Sequence, residues 1–310
     1  AWFQRSERMT VGRTIGVGIL AVLFTVMSRT PVIAQHPVEA MEWMMNVLRP
    51  SGQPVVPIFE GWYEKSNGTY DLCFGYFNLN TEEVLDIPLG PDNFIEPARF
   101  DGNQPTHFMA VPPPPNLYRR YFCVFTVNVP SDFGRERVIW QLRVRGKTYA
   151  VPGHLTAHNY AVEEISAESR GSEAPLIRFE PNGPEGRGRS GVTAGPFEAT
   201  VGNPQTVSLS VTSAPGTAEP QRRPPRDGER TRLWWVGWTK HQGPGDVTFS
   251  NQEINIYPGE GPVTTTATFS EPGEYVLRVL AWDDTGRQAF VMAVGFQCCW
   301  TNGYLTVDLQ

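Results

Sequence analysis

Along most of the chain, apolar and polar residues alternate with a period of two, which is typical of strands with one buried face. Residues 59–64 and 69–77 flank Lys65-Ser66-Asn67-Gly68, and an Asn-Gly pair between two such runs predicts a β-hairpin. Four further strands are predicted at residues 84–88, 122–129, 138–145 and 148–151. This density of short strands and polar turns predicts a β-sandwich.

The second half of the chain repeats this alternation. Trp234, Val236 and Trp238 share one face of a predicted strand, and similar runs follow at residues 263–269, 275–282 and 305–309. The predicted fold class is therefore all-β, with two immunoglobulin-like β-sandwich domains after an N-terminal signal peptide. The domains are placed at residues 36–153 and 175–310, with an acidic linker at 154–174. Residues 181–195, rich in Gly, Pro and Arg, are interpreted as a loop.

Part of the second domain carries a family resemblance. The matching segments are Trp238 to Gly245 (WTKHQGPG), Val247 to Ser250 (VTFS), Thr264 to Phe269 (TTTATF) and Pro272 to Arg278 (PGEYVLR). Residues 175–310 resemble the PKD-like immunoglobulin domains of bacterial extracellular proteins. The resemblance implies that Trp238 fills the space between the sheets and that Tyr275 forms a tyrosine corner. It implies nothing about the loop at 214–231 or the insertion at 288–300, and no family is recognised for the N-terminal domain.

The first 35 residues predict export. Arg5, Arg8 and Arg13 precede an apolar run at residues 15–27, and small residues follow up to Ala34, the arrangement of a signal peptide. Met9 is interpreted as the start, with residues 1–8 upstream of it. The apolar run is shorter than the roughly 20 residues of a membrane-spanning helix, so no integral span is expected in the mature chain. A retained N-terminal anchor is the alternative.

Net charge narrows the range of partners. The formal charge is −6, and removal of four arginines and one glutamate (a net +3) with the leader would make it −9. Nucleic-acid binding normally needs a basic face, so no nucleic-acid partner is expected. An exported protein of the periplasm, cell surface or exterior is predicted instead.

The four cysteines are interpreted as structural, because export permits disulfides. Adjacent Cys298 and Cys299 are not expected to be both free thiols. Cys73 and Cys123 lie in separate predicted strands, and strict alternation puts them on different faces, which argues against a bridge between them. No cysteine has the spacing of a zinc or redox motif, so no metal or cofactor is expected.

Alternation also predicts an aromatic surface on the outer face of one sheet of the second domain. If Trp238 and Tyr275 point into the core, Trp235 and Trp282 point out of the same sheet as neighbours, where flat rings could stack on sugars. The other interpretation is that the insertion covers this face, because every second residue in part of it is apolar, as in a strand with one apolar side: Phe290, Met292, Val294 and Phe296.

Three other groups are candidates for chemistry. Arg222, Arg223 and Arg226 cluster in a Pro-rich loop that could contact an acidic partner, the alternative being a solvated loop. His107, His154 and His158 could supply metal ligands, but no helix or third ligand fixes them, so exposed histidines are the preferred interpretation. Asp283 and Asp284 suit calcium or, more simply, a turn.

No catalytic motif is present, and no catalytic residue is assigned. The predicted function is a non-catalytic exported structural or ligand-binding protein of the bacterial envelope or exterior, with polysaccharide or another envelope protein as partner. The alternative is an exported hydrolase or its carbohydrate-binding accessory protein. An exposed aromatic platform would favour a binding protein, and convergent polar side chains in a cleft of the first domain would favour an enzyme.

Overall fold

The computed structural model describes residues 49–110, 120–162, 174–213, 233–257, 260–283 and 299–310. The segment Leu48–Gln310 forms one compact unit. The predicted signal peptide lies outside the described residues, as do most of the linker and of the 288–300 insertion. Within the described ranges, no helix has the length and apolar character needed to cross a membrane.

The described residues form strands joined by turns and two short 3-10 helices, Ala98–Phe100 and His158–Tyr160. The strands are β1 (Val55–Glu64), β2 (Tyr70–Asn78), β3 (Leu85–Asp86), β4 (Asn93–Glu96), β5 (His107–Phe108), β6 (Arg120–Val129), β7 (Val138–Val144), β8 (Lys147–Gly153), β9 (Leu176–Phe179), β10 (Glu185–Gly186), β11 (Val192–Ala199), β12 (Gln205–Thr212), β13 (Trp234–Gln242), β14 (Val247–Phe249), β15 (Glu253–Ile256), β16 (Val263–Phe269), β17 (Gly273–Asp283) and β18 (Trp300–Leu309).

The first sandwich contains the sheets β1-β2-β6 and β4-β7-β8, with the small pair β3-β5. The predicted hairpin is present: Lys65 N donates to Thr69 O over 2.8 Å, and Gly68 takes the positive φ of 80° that the turn requires. The core is built around fully buried Trp140, which meets Phe125 edge-to-face at 5.1 Å. The Trp140 indole N–H donates to a side-chain oxygen at 3.0 Å, so this buried polar atom is satisfied.

The second sandwich has two five-stranded sheets, β10-β9-β12-β16-β14 and β11-β18-β17-β13-β15. Its strand order is that of an immunoglobulin-like sandwich. The prediction of all-β architecture with immunoglobulin-like sandwiches is confirmed. The interpretation of residues 181–195 as a loop is wrong in two places. The short strand β10 pairs antiparallel with β9, and β11 begins at Val192 and pairs in parallel with β18. Gly195-Pro196 interrupts the register and the alternation of β11, which hides this edge strand in the sequence.

The two residues that the resemblance marked as structural lie in the second core. Trp238 is fully buried between the sheets. Tyr275 Oη donates to Glu271 O and accepts from Gly245 N, each at 2.9 Å. This is the hydrogen bonding of a tyrosine corner, which fixes the loop before β17 to the strand itself.

The tyrosine corner yields a first prediction. Tyr275→Phe removes both hydrogen bonds and leaves the buried Gly245 N–H without its acceptor, so the free energy of unfolding should fall by about 1–3 kcal/mol. Urea denaturation measures this change. Tyr160→Phe is the matched control, because Tyr160 is 45% exposed, and its stability should stay within about 0.5 kcal/mol of the wild type. Equal stability of the two variants would contradict the assignment.

Candidate functional site

Three tryptophans form a row across the outer face of the second sandwich. Trp235 on β13 is the direct partner of Trp282 on β17, which is the direct partner of Trp300 on β18. The rings of Trp282 and Trp300 have their centroids 5.6 Å apart. The sequence predicted Trp235 and Trp282 as neighbours on one face, and the register places them so. Trp300 was not predicted as a member.

The first sandwich covers one end of this tryptophan row. Trp300, only 3% exposed, forms a cluster with buried Cys73 and Cys123 of β2 and β6. Phe122, Leu280 and Trp282 pack against the same cluster. Trp235, at the other end, is half-buried. Residues 290–296 of the insertion, which were proposed as the cover, lie outside the described residues. The cover that the structure shows over Trp300 is the first sandwich.

Cys73 and Cys123 form a disulfide, which corrects the prediction made from strict alternation. Between the pairs Phe74–Phe125 and Tyr76–Tyr121 the register of β2 and β6 shifts, so β6 contains a bulge. Cys123 lies in this bulge with a positive φ of 40°. Phe125 and Tyr121, on either side of the bulge, both face the core of the first sandwich with Phe74 and Tyr76. The residues inside the bulge depart from this alternation, so Cys123 lies on the opposite face with Cys73.

The backbone of the bulge is hydrogen-bonded to the second sandwich. Asn302 Nδ2 donates to Cys123 O over 3.1 Å, and Tyr304 Oη donates to Val124 O over 2.7 Å. Both donors extend from β18 on the same face as Trp300. The bulge is therefore part of the contact between the sandwiches, which we call the junction.

A second set of hydrogen bonds lies where β13 meets the loop before β5. His241 Nε2 donates to Asn103 O over 2.9 Å, and Thr106 N donates to His241 O over 2.8 Å. Gln242 Nε2 donates to the carbonyls of Gly102 and Gln104, each over 2.7 Å. These hydrogen bonds connect side chains and backbone of β13 to the backbone of the loop before β5, so they fix the position of that loop relative to the end of β13.

The junction buries a cation. Arg278, 7% exposed, donates from Nε and Nη2 to Asn302 Oδ1 over 3.1 and 2.7 Å. Burial lowers the pKa of Arg278, while the neighbouring phenols of Tyr304, Tyr76 and Tyr121 favour its charged form. Burial likewise raises the pKa of Tyr304 to about 12, although the charge of Arg278 opposes this rise. Tyr304 therefore remains a protonated donor at neutral pH.

At the rim, ionic contacts cross between the sandwiches. Lys240 Nζ and His107 Nδ1 each lie 2.9 Å from Asp86 Oδ1, and Lys240 Nζ also donates to Gly245 O. Burial opposes ionisation of Asp86, but the hydrogen bonds from His107 and Lys240 outweigh it and lower the pKa of Asp86. On the other side of the junction, the Arg189 guanidinium lies 5.6 Å from the Tyr63 ring and 5.5 Å from the Trp300 ring.

The remaining candidates do not assemble into a site among the described residues. His107 pairs with Asp86, while His154 contacts the rings of Phe59 and Tyr160 and His158 is exposed. No group of three or more His, Cys, Asp or Glu side chains in the described ranges could hold a metal ion. Other candidate residues lie outside those ranges: Arg222, Arg223, Arg226, Asp284 and Cys298. Only the backbone of Asp283 is described, as the end of β17, and Cys299 is disulfide-bonded.

Sequence reasoning missed the polar half of the junction, namely Arg278, His241, Asn302 and Tyr304. Arg278 and Asn302 occupy the same strand face as Trp282 and Trp300, a signal that was available from alternation. A sheet face exposed to solvent also carries polar residues, so alternation alone does not distinguish a buried polar contact from an exposed one.

Comparisons with known proteins give no family. No protein-family model and no curated protein sequence matches the chain. Among solved structures, domains 4 and 5 of the S-layer protein SbsC align at 12% identity and a TM-score of 0.22, covering 56% of this chain and 66%, slightly under two thirds, of that structure. The D0-D1 domain of intimin aligns at 11% identity and a TM-score of 0.23, covering 83% of this chain and 98% of that one. The fibronectin(III)-like modules of Clostridium thermocellum CbhA give 8% identity, a TM-score of 0.21 and coverages of 83% and 95%. Similarities this low support no conclusion about the chain.

The buried histidine at the junction yields a prediction on pH. Burial lowers the pKa of His241 from 6.5 to about 4, with a smaller contribution from the charge of Arg278. Between these pH values the unfolded chain binds a proton that the folded chain does not, so stability falls as the pH falls. The loss between pH 6.5 and 4 should approach about 3 kcal/mol, measured by urea denaturation at each pH.

The control variants are His241→Gln and His158→Gln. Gln at 241 can keep a donor toward Asn103 O but does not titrate, so its stability should depend less on pH in this window. His158→Gln replaces an exposed histidine and should keep the wild-type slope. Asp86, whose pKa is lowered from 3.8, loses its contribution only below the window. An unchanged slope in His241→Gln would show that His241 is not the responsible group.

Proposed function

We propose that this chain is a non-catalytic, exported structural protein of the bacterial envelope or exterior, whose two sandwiches act as one rigid spacer. The second sandwich is proposed to be a PKD-like module. The observation that carries the proposal is the burial of the outer face of β13, β17 and β18 against the first sandwich. The hydrogen bonds from His241 and Tyr304 to carbonyls of the first sandwich resist hinge motion, because these pairings form only when the two sandwiches keep this orientation.

The disulfide supports an exported location. Cys73 and Cys123 are fully buried and bonded to each other. Disulfides persist in oxidising compartments such as the periplasm and the exterior and are rare in the reducing cytosol. The predicted signal peptide points to the same compartments by an independent route.

The junction weighs against the carbohydrate-binding alternative at the predicted platform. Stacking on sugar requires open aromatic faces, whereas Trp282 and Trp300 pack against residues of the first sandwich. We therefore propose that the partners, polysaccharide or another envelope protein, contact surfaces other than the tryptophan row.

The rigid-spacer proposal predicts a narrow distance distribution between the sandwiches. Non-thiol spin labels can be introduced as unnatural amino acids at exposed Lys147 of β8 and Thr248 of β14. Pulsed electron paramagnetic resonance of the oxidised protein should give one narrow peak, as narrow as that of an intrasandwich control pair at Lys147 and exposed Asp132. A broad or multimodal distribution for the intersandwich pair alone would contradict the proposal.

The export half of the proposal is tested separately. The full chain expressed with its leader in a bacterial host should be found in the periplasmic or external fraction, with Cys73 and Cys123 resistant to thiol alkylation. A protein found in the cytoplasmic fraction with both cysteines alkylated would contradict export.

The carbohydrate-binding alternative is tested by incubating the purified protein with a glycan array. Binding to a glycan that is lost in the variants Trp282→Ala or Trp300→Ala would favour that alternative.

A further inference from the structure

The Cys73–Cys123 disulfide lies between the two hydrophobic cores and belongs to neither. The core of the first sandwich and the core of the second are separate clusters of apolar side chains, and both lack these cysteines. The disulfide instead packs with Trp300, Leu280 and Trp282 of the second sandwich. Its removal therefore affects the junction more directly than either core.

The disulfide holds a backbone conformation that the chain otherwise disfavours. Cys123 has a φ of 40°, in the left-handed region that residues with a Cβ rarely adopt. Opposite it, Gly75 has no room for a side chain, because a Cβ there would overlap Tyr121 O and Glu60 Oε1. The bulge is thus tightly packed on one side and fixed by the sulfur bridge on the other.

This fixed bulge presents the acceptors on which the junction depends. Asn302 bonds to Cys123 O and Tyr304 bonds to Val124 O, while Asn302 Oδ1 accepts both bonds from Arg278. A shift of the bulge moves both carbonyls. Asn302 Nδ2 then loses its acceptor in the first sandwich and keeps only its bond to Arg189 O of the second sandwich, at 2.7 Å. Tyr304 loses its acceptor in the same movement.

We propose that the Cys73–Cys123 disulfide is a redox latch for the junction. In the oxidised protein it holds the bulge in the shape that binds the second sandwich, and its reduction releases the two sandwiches from each other while both cores stay folded. This inference rests on the rigid-spacer proposal and adds to it a condition, the redox state, under which the spacer becomes flexible.

The chemistry requires a dithiol reductant. The S–S bond breaks to give two cysteine thiols, and the reductant supplies two electrons and two protons as it forms its own disulfide. Both cysteines are fully buried, so the reductant reaches them only when the junction opens. By linkage, a change that opens the junction should make reduction easier, and reduction should in turn favour the open junction.

The first test repeats the spin-label measurement on Lys147 and Thr248 after reduction with dithiothreitol. We expect the narrow intersandwich peak to broaden, while the intrasandwich pair Lys147 and Asp132 and the far-ultraviolet circular dichroism stay unchanged. A narrow peak that persists after complete reduction would overturn the latch, as would loss of the intrasandwich peak. A broad peak already present in the oxidised protein would instead contradict the rigid spacer itself.

Variants separate this disulfide from that of Cys299. Cys73→Ala combined with Cys123→Gly should broaden the intersandwich peak without reductant, because glycine tolerates the positive φ but does not fix it. Cys73→Ala with Cys123→Ala should broaden it at least as much, because alanine disfavours that backbone conformation. A narrow intersandwich peak in both variants would show that reduction does not act through Cys73–Cys123, and it would overturn the proposal.

The reciprocal test measures the rate of reduction by peptide-resolved thiol labelling. Tyr304→Phe removes the bond to Val124 O and should accelerate reduction of Cys73–Cys123 about fivefold, as expected for the loss of one buried hydrogen bond. Tyr160→Phe, the same substitution at an exposed tyrosine with a stability expected to be near that of the wild type, should leave the rate unchanged. Equal rates for Tyr304→Phe and the wild type would contradict the coupling.

Discussion

The burial of one outer sheet face of the second sandwich against the first is the contact from which the other features of the junction follow. Covering Trp300 and Leu280 removes apolar surface from water, which stabilises the pair by roughly 25 cal/mol for each Å² buried. The same contact takes Arg278 and Asn302 out of water, and unpaired they would cost several kcal/mol. Asn302 and Arg278 are satisfied by hydrogen bonds, Asn302 to Cys123 O of the first sandwich and Arg278 to Asn302, so their burial does not leave them unpaired.

Polar burial of this kind contributes more to orientation than to net stability. Apolar surfaces pack in many arrangements, whereas the bonds of His241, Gln242 and Tyr304 to particular carbonyls form in one. His241 makes its bond as a neutral donor, because burial disfavours the imidazolium. A structural role benefits from this selectivity, since a spacer transmits position only if its modules keep one relative orientation.

The bulge in β6 shows how a local irregularity serves a distant contact. It interrupts the pairing of β2 and β6, places Cys123 in the left-handed region and exposes two carbonyls to the other sandwich. Bulges commonly mark places where a strand must present something other than its regular face. Here the disulfide, the bulge and the junction acceptors lie within a few residues, which ties the redox state of the chain to the contact between its sandwiches.

The sequence by itself determined the sandwiches, the Asn-Gly hairpin and the placement of Trp235 beside Trp282, because each depends on period-two alternation or on a local turn. The inward position of Trp238 and the corner formed by Tyr275 were expected from the family resemblance, since alternation alone does not say which face of a strand is buried. Alternation failed at Cys123 and at β11, since a bulge and a Gly-Pro interruption break the period that the inference uses. Only the tertiary structure decided what covers the tryptophan row and which carbonyls receive Asn302 and Tyr304. Those carbonyls are separated from Asn302 and Tyr304 by 179 and 180 residues in the sequence. Strand periodicity assigns a residue to one face of a sheet, but it does not specify which other part of the protein packs against that face.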